Sequence, residues 1–424
     1  MGDRKYTFID LFAGCGGLSE GFLQEGHFSS LAHVEWEKPM VDTLRSRLVK
    51  KWGYDEKAAV EDAIHFDIQR TEELIRGNWS EDSRSRYGKT NDRFVQEQGL
   101  QGVLKNSKVD LIIGGPPCQA YSIHGRATDR NSMKDDYRNY LFESFVKVVA
   151  HFTPKVFVFE NVPGILTAKP GGSNVTDRIF QAFEQIGYSI YSPVDLKRAV
   201  FNAVDYGVPQ ERKRVIILGV QNNSQIALED LYESVRQEET PGITLTVRDA
   251  IGEMPIILPL DHPYRAGRIN VSHRVLNPSL KYTQHFPRYN APREIEVFRL
   301  WVENNMNSIP HKEKIEFYKK VTGHTTLYAK YRSLEWDKPS HTVVAHLSKD
   351  GMMFIHPDPA QARSITIREA ATLMGFPLDY DFMGSMSYCF KMIGNAVPVP
   401  FAKSLARGIW KVLERVEDEC IGSM

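Results

Sequence analysis

A cysteine follows a short apolar run and a turn that no strand or helix can continue through. Residues 109–113 predict a buried strand, and Gly114-Gly115-Pro116-Pro117 ends it immediately before Cys118. Open α/β sheets hold reactive groups in the crevice beyond the carboxyl ends of their strands, and two prolines restrict this loop. The thiol is therefore placed as a nucleophile would be, although a buried cysteine that only packs at a strand end fits the same pattern.

A carboxylate follows a second apolar run in the same way. Residues 155–159 predict another buried strand, and Glu160 comes directly after it. A glycine-rich turn at residues 13–17 follows the first predicted strand, over residues 6–12. Because such groups collect at one edge of an open sheet, the thiol, the carboxylate and the glycine turn are expected to form one reaction site.

The glycine turn leads into a predicted helix and is typical of cofactor-binding loops. Glycines let the backbone approach a ligand closely, and the helix N-terminus offers N–H groups that lack partners. Glu35 ends the second predicted strand, near 30–34, roughly 20 residues past the glycines, where an acid can bond ribose hydroxyls. Trp36 beside it could stack on an adenine. A nicotinamide dinucleotide site, or only a tight strand-to-helix turn, remains an alternative.

The composition is that of an ordinary globular protein. Its net charge is zero, so the chain as a whole does not attract nucleic acid. Of 424 residues, 42% are hydrophobic and 25% charged, and 53 basic residues balance 53 acidic ones. A DNA-binding surface must therefore come from local clusters of Lys and Arg. The four cysteines show neither metal-ligand spacing nor a paired framework, and no signal peptide or membrane-spanning run is visible. We expect a cytoplasmic protein that binds no metal.

Alternation of strands and helices predicts a doubly wound α/β sheet for the first half of the chain. Amphipathic spacing predicts helices over 139–152 and 177–186, and residues 215–220 predict a further strand. The polar stretch 70–108 has no clear period and is predicted to be an insertion without an assigned role. From about residue 222 the alternation stops, which predicts a smaller irregular domain.

Basic and aromatic residues are interleaved in two stretches of the irregular domain, 262–268 and 281–289. This composition suits phosphate contact combined with stacking. The polar residues 120–137, after Cys118, also carry Arg and Lys and could close over a bound nucleic acid. An irregular domain with a mixed surface and a solvated loop would have the same composition. Helices are predicted over 294–305 and 312–321, and Thr366 is predicted to cap another.

Five short motifs, in one order over nearly the whole chain, resemble those of the DNA cytosine-C5 methyltransferases. They are FIDLFAGCGG at 8–17, PPCQ at 116–119, ENV at 160–162, QERKR at 210–214 and GNAVP at 394–398. The resemblance implies a Rossmann-like S-adenosylmethionine methyltransferase domain and a target-recognition domain. It also implies an interdomain motif followed by a helix, predicted over 401–413, that returns to the first domain. The three predicted segments are residues 1–221, 222–337 and 338–424.

Cofactor contacts are also implied by this resemblance. It gives Phe12 a stacking role, and it gives Asp67 and Ile68 contacts to the adenine, although Asp67 also fits a solvated loop acid. The turn before the C-terminal helix would hold the methionine part. The complete cofactor-binding set that the resemblance implies is Phe12, Ala13, Gly14, Gly16, Gly17, Glu35, Trp36, Asp67, Ile68, Pro116, Leu141, Asn395, Ala396 and Val397.

The chemistry of cytosine indicates roles for three residues, and the resemblance implies a role for a fourth. C5 of cytosine cannot attack a methyl sulfonium unaided, but addition of the Cys118 thiolate at C6 makes C5 enamine-like. Glu160 could protonate or hydrogen-bond N3, and Arg214 could bond O2 and a phosphate. In the family the second Arg of QERKR, here Arg214, makes the base contact. The resemblance therefore implies that Arg212 has a supporting structural role. A base inside a duplex cannot present C6 to a thiolate, so the reaction implies base flipping.

The predicted activity is that of an S-adenosylmethionine-dependent DNA (cytosine-5-)-methyltransferase, the modification half of a bacterial restriction–modification system. The expected protein is a monomer, cytoplasmic and nucleoid-associated, that acts on double-stranded DNA beside a separate restriction endonuclease. Three alternatives remain: a tRNA cytosine methyltransferase, a non-catalytic nucleic-acid-binding relative and a nicotinamide dehydrogenase. Intact Cys118, Glu160 and Arg214 argue against a binding module, and the long segment 215–337 favours duplex DNA.

Overall fold

The computed structural model describes residues 5–117, 141–349 and 351–422, which form two compact units. The first unit comprises Met1–Gly207, Arg212–Gly242 and Val397–Met424, and the second comprises Val208–Glu211 and Ile243–Ala396. This division differs from the predicted segments, because residues 222–242 lie with the first unit and 338–396 with the second. Backbone hydrogen bonds from Val247 to Lys338 and from Arg248 to Trp336 hold the start of the late segment within the second unit.

A single mixed sheet forms the centre of the first unit. Its strands are β1 (Tyr6–Leu11), β2 (Phe28–Glu35), β3 (Ala63–His65), β4 (Leu111–Gly114), β5 (Val156–Asn161), β6 (Tyr188–Ser189), β7 (Val200–Asn202) and β8 (Lys213–Gln221). They follow the order β3-β2-β1-β4-β5-β8-β6, with β7 also paired to β8. Strands β1 to β5 are parallel, and β8 is antiparallel to each of its neighbours. This parallel-dominated sheet confirms the predicted α/β class.

Helices cover the sheet of the first unit. They are α1 (Gly17–Glu25), α2 (Lys38–Trp52), α3 (Glu56–Asp62), α4 (Thr71–Arg76), α5 (Glu81–Tyr87), α6 (Arg93–Leu104), α7 (Leu141–Phe152), α8 (Val175–Gln185), α9 (Leu228–Arg236) and the C-terminal helix (Val399–Gly422). The C-terminal helix packs against α1 and α9, and the Ser234 hydroxyl of α9 donates to the Gly408 carbonyl at 2.9 Å. All side chains of β4 and β5 are buried, as expected for parallel strands covered on both faces.

The stretch 70–108, in which the sequence shows no clear period, is helical and packed in the structure. Trp79 is buried and stacks on Phe66, with 4.2 Å between ring centroids, and Leu100 is fully buried in α6. Ser80 and Asp92 cap α5 and α6 with their side chains. The helices α4, α5 and α6 span only 6, 7 and 12 residues, so each gives too few turns for a clear period.

The second unit contains short helices and one β-hairpin. Its elements are α10 (Val247–Ile251), β9 (Ile257–Ala266), β10 (Ile269–Val275), α11 (Pro292–Glu303), α12 (His311–Thr322), α13 (Ile367–Leu373) and α14 (Met386–Asn395). The helices predicted over 294–305 and 312–321 are present as α11 and α12. Thr366 caps α13 as predicted, because its hydroxyl accepts from the Glu369 N–H in a capping box. The antiparallel hairpin β9–β10 was not predicted.

Candidate active site

Glu160 and Arg214 meet where β5 and β8 lie side by side. Strand β8 is antiparallel to β5, with Asn161 opposite Val215, so the start of β8 lies at the carboxyl end of β5. Arg214 Nε is 2.8 Å from Glu160 Oε1, and both side chains are 11% exposed. The structure thus brings together two predicted catalytic residues as an ion pair that is shielded but still open to a ligand.

The loop that leads toward Cys118 is held to the same strand end. The Asn161 side-chain amide donates to the Pro116 carbonyl at 3.3 Å, and the Asn161 side-chain oxygen accepts from the Val162 N–H at 2.9 Å. A Cβ at Gly115 would lie 2.7 Å from Glu160 Oε2, so glycine at this position lets the carboxylate keep its present place. Sequence reasoning missed both roles; the glycine immediately before the two prolines was the available signal.

Cys118 lies outside the described residues, as does the basic stretch 120–137. Both therefore remain predictions from the sequence. The described chain ends beside them at Pro117, two residues from the Gly115–Glu160 contact, and resumes at Leu141.

The predicted cofactor turn has the backbone conformation that ligand loops require. Phe12 and Gly14 both have φ of +58°, and Gly16 has φ of +89°. A left-handed conformation is unusual for a residue with a bulky side chain, and such strain is concentrated at functional sites. A Cβ at Gly14 would meet no atom within 4 Å, so this turn faces open space. The turn therefore fits a bound nucleoside cofactor.

Glu35 connects the turn to the end of β2. One carboxylate oxygen accepts from the Gly14 N–H at 2.9 Å, and the other accepts from the N–H groups of Trp36 and Glu37, both at 2.8 Å. Burial raises the pKa of Glu35 to about 7, although these three donors favour the charged form. The carboxylate has lone pairs left for ribose hydroxyls, which is the role predicted for it.

The remaining predicted cofactor residues differ in exposure. Ala13, Gly16, Gly17 and Pro116 are buried, as are Ile68 and Leu141, whereas Asp67 is half-buried and Trp36 is 48% exposed. An exposed indole beside a buried carboxylate suits stacking on a base. Asn395 is exposed and Ala396 is half-buried at the end of the second unit, and Val397 is buried in the first unit.

Arg212 is fully buried, in contrast to Arg214. Its backbone N–H donates to the Asn202 side-chain oxygen at 2.9 Å, and its carbonyl accepts from the Ala203 N–H at 3.0 Å. This backbone position supports the turn before β8 and leaves Arg214 as the arginine that faces Glu160. The geometry favours the predicted division into a supporting and a contacting arginine.

Gln210, in the same motif, belongs to the second unit and is also fully buried. Its amide donates to the Leu373 carbonyl at 3.2 Å and accepts from the Val343 N–H at 3.0 Å. In the stretch 281–289, His285 bonds the Pro255 carbonyl at 2.8 Å, and Arg288 donates to the Ser348 carbonyl at 2.9 Å. These two basic residues, which were expected to contact nucleic acid, therefore stabilise the fold of their unit.

Two kinds of feature are absent from the described residues. Within residues 5–117, 141–349 and 351–422, no three His, Cys, Asp or Glu side chains are grouped to hold a metal ion. None of the helices in these ranges has the length and apolar character needed to cross a membrane.

The raised pKa of Glu35 predicts a pH dependence of stability. The folded chain keeps a proton on Glu35 between its ordinary pKa of 4.5 and about 7, whereas the unfolded chain loses it, so the free energy of unfolding falls as pH rises through this window. We expect Glu35→Gln to remove on the order of 1–3 kcal/mol of this fall. Urea unfolding of wild type and variant at several pH values measures the difference.

Asp10 provides the control for this experiment. Burial also raises the pKa of Asp10 to about 7. Asp10→Asn should therefore remove a separate part of the fall in unfolding free energy with pH, and leave the part due to Glu35 unchanged. Identical slopes in wild type and Glu35→Gln would contradict the assignment of this titration to Glu35.

Comparison with known proteins extends over nearly the whole chain. Residues 6–77 and 83–411 match the family model described as C-5 cytosine-specific DNA methylase. The chain is 36% identical to Type II methyltransferase M.Bpa9945I of Bacillus paralicheniformis, over 96% of this chain and 98% of that protein. It is 30% identical to Type II methyltransferase M1.HphI of Haemophilus parahaemolyticus, over 96% and 87% of the two chains.

Solved structures share the fold. A DNA modification methyltransferase encoded within an E. coli prophage superimposes with a TM-score of 0.58 at 24% identity, covering 97% of this chain and 100% of that one. The Dnmt2 methyltransferase of S. pombe superimposes with a TM-score of 0.52 at 13% identity, with the same coverage. These likenesses confirm the predicted Rossmann-like methyltransferase architecture.

Proposed function

This chain belongs to the C-5 cytosine-specific DNA methylase family and is a DNA cytosine-5-methyltransferase of the restriction–modification type, and we propose that it works through S-adenosylmethionine, a flipped cytosine and a covalent Cys118 adduct. The observation that carries this mechanism is the Glu160–Arg214 pair. It lies at the carboxyl end of β5, on the edge of the sheet where the glycine turn after β1 also lies.

The cofactor site is proposed at the ends of β1 and β2. Glu35 would bond the ribose hydroxyls, Trp36 would stack on the adenine, and the strained turn from Phe12 to Gly16 would let the backbone approach the ligand. The open space at Gly14 supports this placement. When bound, S-adenosylmethionine supplies an electrophilic methyl carbon, which is the group that C5 of the target cytosine accepts.

The reaction is proposed to begin with attack by the Cys118 thiolate on C6, which forms an S–C6 bond. Glu160 delivers a proton to N3 as electrons move from the C5–C6 double bond toward C5 and the ring nitrogen. The S–C6 adduct would make C5 nucleophilic toward the methyl group of a bound cofactor, whose sulfur would keep the electron pair of the broken bond. Loss of the C5 proton to a base expels the thiolate, and Glu160 recovers its proton from N3.

Arg214 is proposed to hold the cytosine through O2. Its Nε faces Glu160, and its Nη1 donates to the Lys213 carbonyl at 2.8 Å. These two contacts restrict the orientation of the guanidinium. The remaining N–H groups can donate to O2 of the base or to a phosphate oxygen. A positive charge at this position stabilises the electron density that builds on the ring when sulfur adds.

The β9–β10 hairpin supports duplex DNA as the substrate. Tyr264, Arg265, Arg268 and Ile269 at its end are all exposed. A two-stranded ribbon fits the major groove of B-DNA, where arginine can bond guanine edges or phosphates. We propose that this ribbon is part of the target-recognition surface, in a protein that acts in the bacterial cytoplasm as a monomer beside a separate restriction endonuclease.

A transfer assay tests the proposed function. Purified protein is incubated with methyl-labelled S-adenosylmethionine and either unmethylated duplex DNA or total tRNA from cells without cytosine methylation. We expect label in duplex DNA, as 5-methylcytosine, and none in tRNA. Label only in tRNA would establish the tRNA alternative, and a protein that binds NAD but not S-adenosylmethionine would overturn the proposal.

A further inference from the structure

The edge strand β3 is completed by a side chain from the stretch 70–108. β3 pairs with β2 on one side, and on its other side the Asn91 amide takes the place of a neighbouring strand. Asn91 Oδ1 accepts from the His65 N–H at 2.9 Å, and Asn91 Nδ2 donates to the His65 carbonyl at 2.8 Å. One side chain thus makes both hydrogen bonds that a paired strand would make with this residue.

The His65 imidazole connects this contact to Trp36. Its Nε2 lies 2.9 Å from the Trp36 carbonyl, and its Nδ1 lies 2.7 Å from the Thr90 hydroxyl. A carbonyl only accepts, so Nε2 carries the proton. The Thr90 hydroxyl also donates to the Tyr87 carbonyl at 2.8 Å, and the same carbonyl accepts from Asn91 Nδ2 at 2.9 Å, so this hydroxyl links the imidazole to the turn at Tyr87.

Burial supports this neutral form of the ring. It lowers the pKa of His65, and Arg45 and Lys38 act in the same direction. The neutral ring therefore donates from Nε2 to the Trp36 carbonyl. Because both ring nitrogens are engaged, the imidazole has one orientation, and it transmits the position of the segment 87–91 to the backbone of Trp36.

Arg45 of α2 ties the same segment to β3. Its Nη1 donates to the Thr90 carbonyl at 2.7 Å, and its Nε and Nη2 donate to the Ala63 carbonyl of β3 at 2.9 and 2.6 Å. The segment is thus tied to β3 through Asn91 and through a guanidinium that bridges strand and segment. These contacts rigidify the strand end from which Asp67 and Ile68 follow.

We propose that residues 87–91 form a positioning device for the adenine end of the cofactor site, with His65 and Asn91 as positioning residues. The inference rests on the proposed function, because Trp36 and Asp67 are the residues assigned to the adenine. His65 contacts the Trp36 carbonyl and lies two residues before Asp67. A stretch that carries no cofactor residue itself therefore sets the affinity for the cofactor.

Binding of S-adenosylhomocysteine, measured by calorimetry without DNA, tests this proposal. Asn91→Ala and His65→Ala are expected to weaken binding about tenfold each, because Asn91→Ala loses both bonds to β3 and His65→Ala loses the contacts to Trp36 and Thr90. His65→Gln keeps a donor for the Trp36 carbonyl and should recover part of the affinity. Binding of duplex DNA without cofactor should stay as in wild type for all three variants.

Gln96→Ala is the matched control. Gln96 donates to the Gly88 and Asn91 carbonyls at 3.0 and 3.2 Å, so its loss loosens the same stretch without removing a contact to β3. We expect this variant to bind S-adenosylhomocysteine as wild type does. Equal weakening in Gln96→Ala and His65→Ala would overturn the proposal, because the stretch would then act only through general stability.

Two further outcomes are distinguishable. A folded His65→Ala protein with wild-type affinity would overturn the positioning role and leave the proposed function intact. A wild-type protein that binds no S-adenosylhomocysteine would overturn the cofactor assignment, and the positioning role with it. The His65 variants keep the hydrogen bonds between Asn91 and the backbone of residue 65. They therefore test the proposal even if Asn91→Ala does not fold.

Discussion

Replacing Cys118 with alanine is expected to abolish methyl transfer while duplex DNA binding remains as in wild type. The thiolate acts only in the covalent step, so its removal leaves C5 without the electron density that methyl transfer needs. We expect turnover to fall by about 10⁴-fold or more, the scale of loss when a covalent nucleophile is removed. Single-turnover transfer from labelled S-adenosylmethionine measures the rate, and a mobility-shift titration measures DNA binding.

Cys389→Ala provides the matched control for this change. Cys389 is buried in the second unit, with Sγ 3.7 Å from the Phe382 carbonyl, so its loss should lower stability but not the rate. A duplex with 5-fluorocytosine should trap wild type and Cys389→Ala as covalent complexes, because the fluorine at C5 cannot leave as a proton does. If Cys118→Ala were trapped or kept the wild-type rate, another residue would be the nucleophile.

Glu160→Gln should cause the second-largest loss, about 10²–10⁴-fold in kcat. The amide has the shape of the carboxyl group but cannot deliver a proton to N3, and it also removes the charge that faces Arg214 at 2.8 Å. Affinity for S-adenosylhomocysteine should be unchanged, because Glu35 and the glycine turn make the proposed cofactor contacts. Steady-state kinetics and calorimetry separate the two effects.

Gly115→Ala tests the same carboxylate without changing its chemistry. The added methyl group would lie 2.7 Å from Glu160 Oε2, so the side chain must move away from its present position. We expect a loss of kcat smaller than that of Glu160→Gln, since a displaced acid can still transfer protons. Wild-type kcat in Glu160→Gln would show that protonation of N3 does not depend on this residue.

The sheet could be predicted from the sequence where strands are buried on both faces. β4 and β5 form continuous apolar runs, so both strands and the place of Glu160 near the end of β5 were predicted correctly. The hairpin β9–β10 could not be predicted in this way, because its outer half is exposed and carries no apolar alternation. The packed helices between 70 and 108 were missed because they are short.

The residues of the site could be named from motifs, but their contacts could not. Glu160 and Arg214 are far apart in the sequence, and they meet only because β8 lies antiparallel beside β5 in a register that places Val215 opposite Asn161. Strand pairing of this kind depends on the whole sheet. The Asn91–His65 contact was similarly hidden, because nothing local to Asn91 indicates that it completes an edge strand.

Mapping of 5-methylcytosine across a bacterial genome at single-base resolution tests the central claim most directly. Wild type and Cys118→Ala are expressed separately in a host without cytosine methylation. We predict methylation at one short recurring duplex sequence with wild type, and none with Cys118→Ala. An unmethylated genome in cells that contain folded wild-type protein would contradict the account, and equal methylation by both proteins would contradict the role of Cys118.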